Sequence, residues 1–186
     1  MKGFGFPQRS EITHGNQLVF DRLTAILGTV PNLYAGFAWS ENALTTYLAL
    51  EGSKSSLSAR QREAIQLIVS QINDCDYGIT AHSEIARMNG FTPEEIEEIR
   101  RGSAGFDKKL DCMVRLTRNI MNNRDACEDA ALGAFYQAGL TKENLVDLVL
   151  VIGYTVIANY LQALIRVPID FPLTEDWENP LRHREG

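Results

Sequence analysis

Apolar residues recur at helical spacing along most of this chain, and turn residues divide them into segments. Leu18, Phe20, Leu23, Ile26 and Leu27 form a first helical pattern that stops at Gly28, and Pro31-Asn32 restarts the chain. Ser40 can N-cap a helix over residues 41–50, which Gly52 ends. Ser58-Ala59-Arg60-Gln61 fits a capping box, followed by Ala64, Ile65, Leu67, Ile68 and Ile72 on one stripe. Asn73-Asp74 breaks this helix and can cap the next, expected from Cys75 to Met88, with Asn89-Gly90 as a left-handed stop. Thr92-Pro93-Glu94-Glu95 opens another helix, and Gly102 ends it. Further helices are expected over 107–121, 128–138 and 142–166, the last capped by Thr141. Strand-like alternation is nearly absent, so the pattern predicts an all-α fold. The expected organisation is an N-terminal arm (1–16, with Gly3, Gly5, Pro7 and Gly15), a helical domain (17–167) and an irregular tail (168–186, with Pro168, Pro172 and Pro180).

Composition narrows the picture. A chain of 186 residues with 45% hydrophobic positions can bury a core as one domain without staples, and is not disordered over most of its length. Its net charge of −6 argues against general nucleic-acid binding, which needs cations to replace phosphate counterions. Three cysteines with no framework spacing suit a reducing compartment, and Met1-Lys2-Gly3-Phe4 opens no apolar leader; a cytoplasmic location is expected. The most apolar stretch, 145–167, carries Asp147, Asn159 and Gln162 and reads as a buried helix, with no membrane partner expected.

Four positions carry candidate chemistry: Glu63, Cys75, Gly78 and His82. Cys75 and His82 are seven apart, within about 20° of one helical face, and Gly78 lies between them. In a first helical turn, unpaired amides and the helix dipole would favour the Cys75 thiolate, with His82 exchanging its proton directly or through water. Glu63 would fix the His82 tautomer or act as a base once the break at 73–74 folds the two helices together. Spacing alone leaves a second reading open, in which Cys75 is a small core hydrophobe, His82 a hydrogen-bonded core residue and Glu63 a solvated charge. Cys112 and Cys127 lie on apolar helical patterns and read as core residues, or as distant resolving thiols if brought within disulfide range of Cys75. Glu63, Cys75 and His82 make only three zinc ligands without a nearby fourth, so neither metal nor cofactor is expected.

The run Arg62-Glu63-Ala64-Ile65, then 70–78 (Ser-Gln-Ile-Asn-Asp-Cys-Asp-Tyr-Gly), then Ala81-His82, resembles the core of the carboxymuconolactone decarboxylase and alkylhydroperoxidase AhpD-like superfamily. That family carries a glutamate and, twelve positions on, a cysteine opening C-x-x-C-x-x-x-H; Glu63, Cys75 and His82 fall at the matching places. The segment 27–33 (Leu-Gly-Thr-Val-Pro-Asn-Leu) resembles the entry of its peroxidase-related branch, and Asn89-Gly90-Phe91-Thr92 and Gly139-Leu140-Thr141 resemble its helix junctions. In all, the resemblance covers about residues 20–167. It implies an AhpD-like helical domain with a helix hairpin carrying the motif, and catalytic roles for Glu63, Cys75 and His82. It also implies a homo-oligomer, trimer or hexamer.

The resemblance has one departure: Gly78 stands where the family has its second cysteine, usually the attacking one, and Tyr77 where some relatives carry a second histidine. The function implied first is therefore a thiol-dependent peroxidase, an antioxidant oxidoreductase, working through Cys75 alone. It would take a small hydroperoxide as substrate and an external thiol as reductant, and oxidation would stop at sulfenic acid or a mixed disulfide with a small thiol. The alternatives are a non-redox enzyme of the decarboxylase branch acting on a small lactone acid by proton transfer, or an impaired member kept for binding or assembly. Asn159 and Tyr160, at a polar position of the last helix, read as packing or interface residues.

Overall fold

The structure is a computed structural model that describes residues 5–123 and 127–170. Among these residues the chain forms α1 (His14–Leu27), α2 (Asn32–Phe37), α3 (Ala43–Glu51), α4 (Ala59–Ile72), α5 (Asp76–Met88), α6 (Pro93–Arg100), α7 (Lys108–Asn123), α8 (Asp129–Gln137) and α9 (Lys142–Ile165), with a 3-10 turn at Arg9–Glu11 and no strand. The all-α expectation holds. Its punctuation holds as well, because each signal is a bond between residues three apart. Ser58 and Gln61, Thr92 and Glu95, and Thr141 and Asn144 each close a reciprocal capping box, worth about 1 kcal/mol per helix start. Gly28 ends α1 at φ 79°, a conformation that needs no Cβ.

Three local expectations are corrected. α3 begins at Ala43, with Asn42 as its N-cap; the Ser40 hydroxyl still accepts from the Ala43 N–H. α2, a six-residue helix after Pro31, was not expected as an element at all. α5 begins at Asp76, so Cys75 stands outside the helix as its N-cap.

α4 is the central element, packed against α5, α6, α7 and α9. One cluster of buried side chains joins α2 and α3 to α9 through Leu33, Phe37, Leu44, Leu148, Ile152 and Ile165. A second lies between α4, α6 and α7, around Leu67, Ile68, Ile99 and Val114. The hairpin of α4 and α5 turns on Asp74, whose φ of 52° lets the chain reverse within the few residues between the helices. α9 is the described helix long and apolar enough to cross a membrane. Here it packs one face into the bundle, while Val146, Leu150, Ile157, Tyr160 and Leu164 on the other face are exposed. The expected buried helix is thus buried along one side only.

The expected arm partly packs on its own chain. The Gly5 N–H donates to the Ile165 carbonyl (3.1 Å) and Trp39 Nε1–H donates to the Gly5 carbonyl (3.0 Å). Most of the expected tail, residues 171–186, lies outside the described residues, as do residues 1–4 and 124–126.

Candidate functional site

Glu63 sits in the second turn of α4 and His82 in the middle of α5, and the hairpin brings them face to face. His82 Nδ1 and Glu63 Oε1 are 2.6 Å apart, with the two side chains 16% and 6% exposed. Gln66 Nε2–H donates to the other carboxylate oxygen (3.3 Å). Burial alone would lower the His82 pKa, but the charge of Glu63 and its hydrogen bond, with Glu51 adding to them, raise it above the ordinary histidine value. With Nδ1 engaged by the carboxylate, Nε2 is the ring nitrogen left for a substrate.

Cys75 lines a different cleft from His82. As N-cap, Cys75 has an extended backbone (φ −95°, ψ 93°), while its carbonyl accepts the first helical bond, from the Ile79 N–H (2.9 Å). Its thiol turns back to accept the Gly78 N–H (3.4 Å), capping the helix as a hydroxyl would. Burial raises the thiol pKa by more than the Gly78 and Tyr77 N–H groups lower it, and the carboxyls of Asp76 and Asp74 push it the same way as burial. The expected thiolate is therefore corrected: the helix start does favour it, but burial outweighs that effect. All three cysteines are free thiols. Cys112 is half-buried on α7, and Cys127 is exposed between α7 and α8, contrary to its reading as a core residue.

Gly78 has a steric reason to be glycine. A Cβ there would lie 2.6 Å from Ser70 Oγ and 2.9 Å from Asn159 Oδ1, because α5 crosses α4 and α9 at close range. Ser70 and Asn159 are both buried, and their side chains pair with each other (3.4 Å).

Gly78 and His82 line one cavity of about 350 Å³. Cys75 lines a separate cleft of about 320 Å³ with Asn73, Gln162 and Arg166. The two share Tyr77 and Asn159, which form the partition between them. The Tyr77 hydroxyl donates to Asp170 (2.7 Å) and accepts the Leu33 N–H (3.3 Å).

Sequence reasoning missed the opposite wall of the cavity. Glu51, the last residue of α3, lines it with Tyr34 and Tyr47, and the Tyr34 hydroxyl donates to Glu51 Oε2 (2.7 Å). Burial raises the Glu51 pKa against the pull of the Tyr34 hydrogen bond and the His82 charge, and Glu63 adds to the rise. The same burial pushes the hydroxyls of Tyr34 and Tyr47 well above the ordinary phenol range, so they remain protonated donors. One signal could have found Glu51. A carboxylate at a helix C-terminus opposes the helix dipole, and no basic residue accompanies it in that turn. Among the described residues, no group of three or more His, Cys, Asp or Glu side chains is placed to hold a metal ion.

Residues 40–106, which span α3 to α6 and hence Glu51, Glu63 and His82, match the carboxymuconolactone decarboxylase family. The likeness to that family covers α3 to α6, and over the rest of the chain the likeness to solved structures is one of fold. Its fold is that of solved AhpD-like structures. A peroxidase-related protein from Silicibacter sp. TM1040 superposes with a TM-score of 0.76 at 22% identity, over 89% of this chain and 91% of that one. A peroxidase-related protein with an alkylhydroperoxidase AhpD core from Ralstonia eutropha JMP134 gives 0.79 at 18% identity, over 89% and 90%. The debrominase Bmp8, solved as a cysteine-to-alanine variant with 2,3,4-tribromopyrrole, gives 0.71 at 14% identity, over 90% and 91%. At these identities the likeness is one of fold, and the fold serves more than one chemistry. No protein of curated function matches the chain. Against the motif that this family carries, the chain keeps the Glu63–His82 pair and has Gly78, packed closely against Ser70 and Asn159, at the place of the second cysteine.

Proposed function

We propose that this chain is an enzyme of proton transfer, with His82 as acid and Glu51 as base across one cavity and Glu63 holding His82 in place. The observation that carries this reading is the division of the motif between two clefts: Gly78 and His82 face the cavity, and Cys75 does not. Two titratable groups with shifted pKa values converge on an apolar pocket, which is the usual setting of general acid–base catalysis. In the proposed step the Glu51 carboxylate takes a proton from a carbon beside a substrate carbonyl. The His82 imidazolium, its charge matched by Glu63, donates from Nε2 to the developing oxyanion. Return of the two protons completes an isomerisation or an exchange with solvent, with no external reductant. The cavity is at the small end of the roughly 300–1,000 Å³ common for ligand pockets, so the substrate is a small molecule. The debrominase Bmp8, similar in fold, was solved with the small ring 2,3,4-tribromopyrrole, which supports a small-ring substrate here.

The test is deuterium uptake from D₂O into a panel of small cyclic ketones and lactones, read by mass spectrometry, alongside hydroperoxide consumption with a dithiol. The expected result is uptake that is lost in His82→Gln and Glu51→Gln and kept in Cys75→Ser. Hydroperoxide consumption that needs Cys75 and survives His82→Gln would overturn the proposal in favour of the thiol peroxidase. That second reading has one observation behind it, the Gly78 N–H aimed at the Cys75 sulfur.

A further inference from the structure

The charged groups around the cavity restrict what can enter it. Its wall carries two carboxyls, Glu51 and Asp170, and one group that gains positive charge on protonation, His82. Among the described residues no lysine or arginine lines it. The charge of His82 already has its partner 2.6 Å away in Glu63. Arg62 stands in the neighbouring clefts behind Glu51 and Glu63. Leu27, Pro31, Leu33, Ile85 and Met88 make apolar parts of the wall, and Thr29 and Asn159 are neutral. An organic anion entering here would lose its hydration, meet two carboxyls and find among the described residues of the wall no cation without a partner, and burying a charge on those terms is strongly unfavourable. A neutral ring meets none of these costs, and tyrosine rings and aliphatic side chains suit its faces.

We infer that the cavity selects small neutral ring compounds and rejects organic acids, with Glu51 and Asp170 as the groups that discriminate. The inference rests on the acid–base reading for taking this cavity as the substrate site. It excludes the lactone acid that the decarboxylase branch suggested and leaves neutral lactones, cyclic ketones and phenols. Glu51 then serves twice, as base and as the charge that turns anions away. Asp170 discriminates from the other side; its carboxylate is held in place by the Tyr77 hydroxyl (2.7 Å) and the Asn32 N–H (2.7 Å).

The experiment compares two probes of one shape that differ in charge, 4-methylphenol and 4-hydroxybenzoate. Each is titrated at pH 7.5 into the full chain labelled at the histidine Cε1 positions. The chain has three histidines, so the His82 signal can be assigned with one variant, His82→Gln. The expected result is a His82 shift with 4-methylphenol and binding of 4-hydroxybenzoate weaker by about tenfold or more, a difference of roughly 1.4 kcal/mol. Glu51→Gln or Asp170→Asn should narrow that gap to about threefold or less, as expected when a repelling charge is removed. Equal or tighter binding of the acid by the unmodified protein overturns the inference, and so does the absence of any response to either probe. A gap unchanged in both variants overturns the assignment to these two residues. The comparison reads no turnover, so it separates from the test above. Selectivity without deuterium uptake sinks the catalytic proposal alone, and uptake into an organic acid sinks this inference alone.

Discussion

Replacing Gly78 with alanine tests the packing argument, because two physical effects predict opposite signs. Alanine is better than glycine inside a helix by about 1 kcal/mol, so a glycine kept there by drift should be stabilised by the change. The structure says otherwise. The new Cβ would lie 2.6 Å from Ser70 Oγ, 3.0 Å from Ser70 Cβ and 2.9 Å from Asn159 Oδ1. The serine hydroxyl can rotate, but its Cβ is fixed by the α4 backbone, and Ser70 is fully buried. Overpacking of this kind costs about 1–3 kcal/mol. The expected net effect of Gly78→Ala is a loss of up to about 2 kcal/mol, or up to roughly 8 °C in Tm for a chain of this size. Thermal unfolding followed by circular dichroism at one fixed protein concentration measures it. Ser70→Gly removes both serine contacts, so Gly78→Ala in that background should recover part of the loss, with a favourable coupling of about 1 kcal/mol. An increase in Tm for Gly78→Ala alone would refute the close-approach account. The same overlap bears on Gly78→Cys. A disulfide to Cys75 would form there only after α5 moved away from α4 and α9.

Three other outcomes follow from the geometry. Glu63→Gln should drop the His82 pKa below its ordinary value, since burial, the largest influence, is then opposed only by the smaller effect of Glu51; a proton NMR titration reads this. In the unmodified protein the raised His82 pKa contributes stability that is fully present below about pH 6.5 and is lost as pH rises through the folded value. Glu63→Gln should abolish that part of the stability–pH curve, and an unchanged curve would count against the pair. Iodoacetamide at pH 8, with mass spectrometry of each cysteine, should modify exposed Cys127 first and Cys75 last, because burial holds the Cys75 thiol up. Early labelling of Cys75 would restore the thiol reading. The exposed apolar residues of α9 at 146, 150, 157, 160 and 164, with Gly153 among them, follow a heptad spacing. We therefore expect a homo-oligomer seated on this face. Ile157→Arg with Leu164→Glu should reduce the mass seen by light scattering, and a monomer for the unmodified chain would contradict the expectation.

What the sequence alone determined was local. Two reciprocal capping boxes, the Thr141 cap, the turn at Asn73-Asp74 and the left-handed stop at Gly90 were legible because each depends on residues a few positions apart. The pairing of Glu63 with His82 was also within reach, since a hairpin between two well-punctuated helices leaves few ways for them to face one another. Cys75 shows where that reasoning stopped. A shift of one residue at the start of α5 turned the thiol into a cap, and the balance between helix start and burial depended on what packs around it. The opposite wall of the cavity was decided by tertiary structure alone. Tyr34 meets Glu51 across 17 positions and Tyr77 meets Asp170 across 93. Gly78 is shaped by Ser70 and Asn159 on two other helices. No periodicity encodes such contacts, because they depend on the angle and distance at which α2, α3, α5 and α9 cross, and those are set by the whole core.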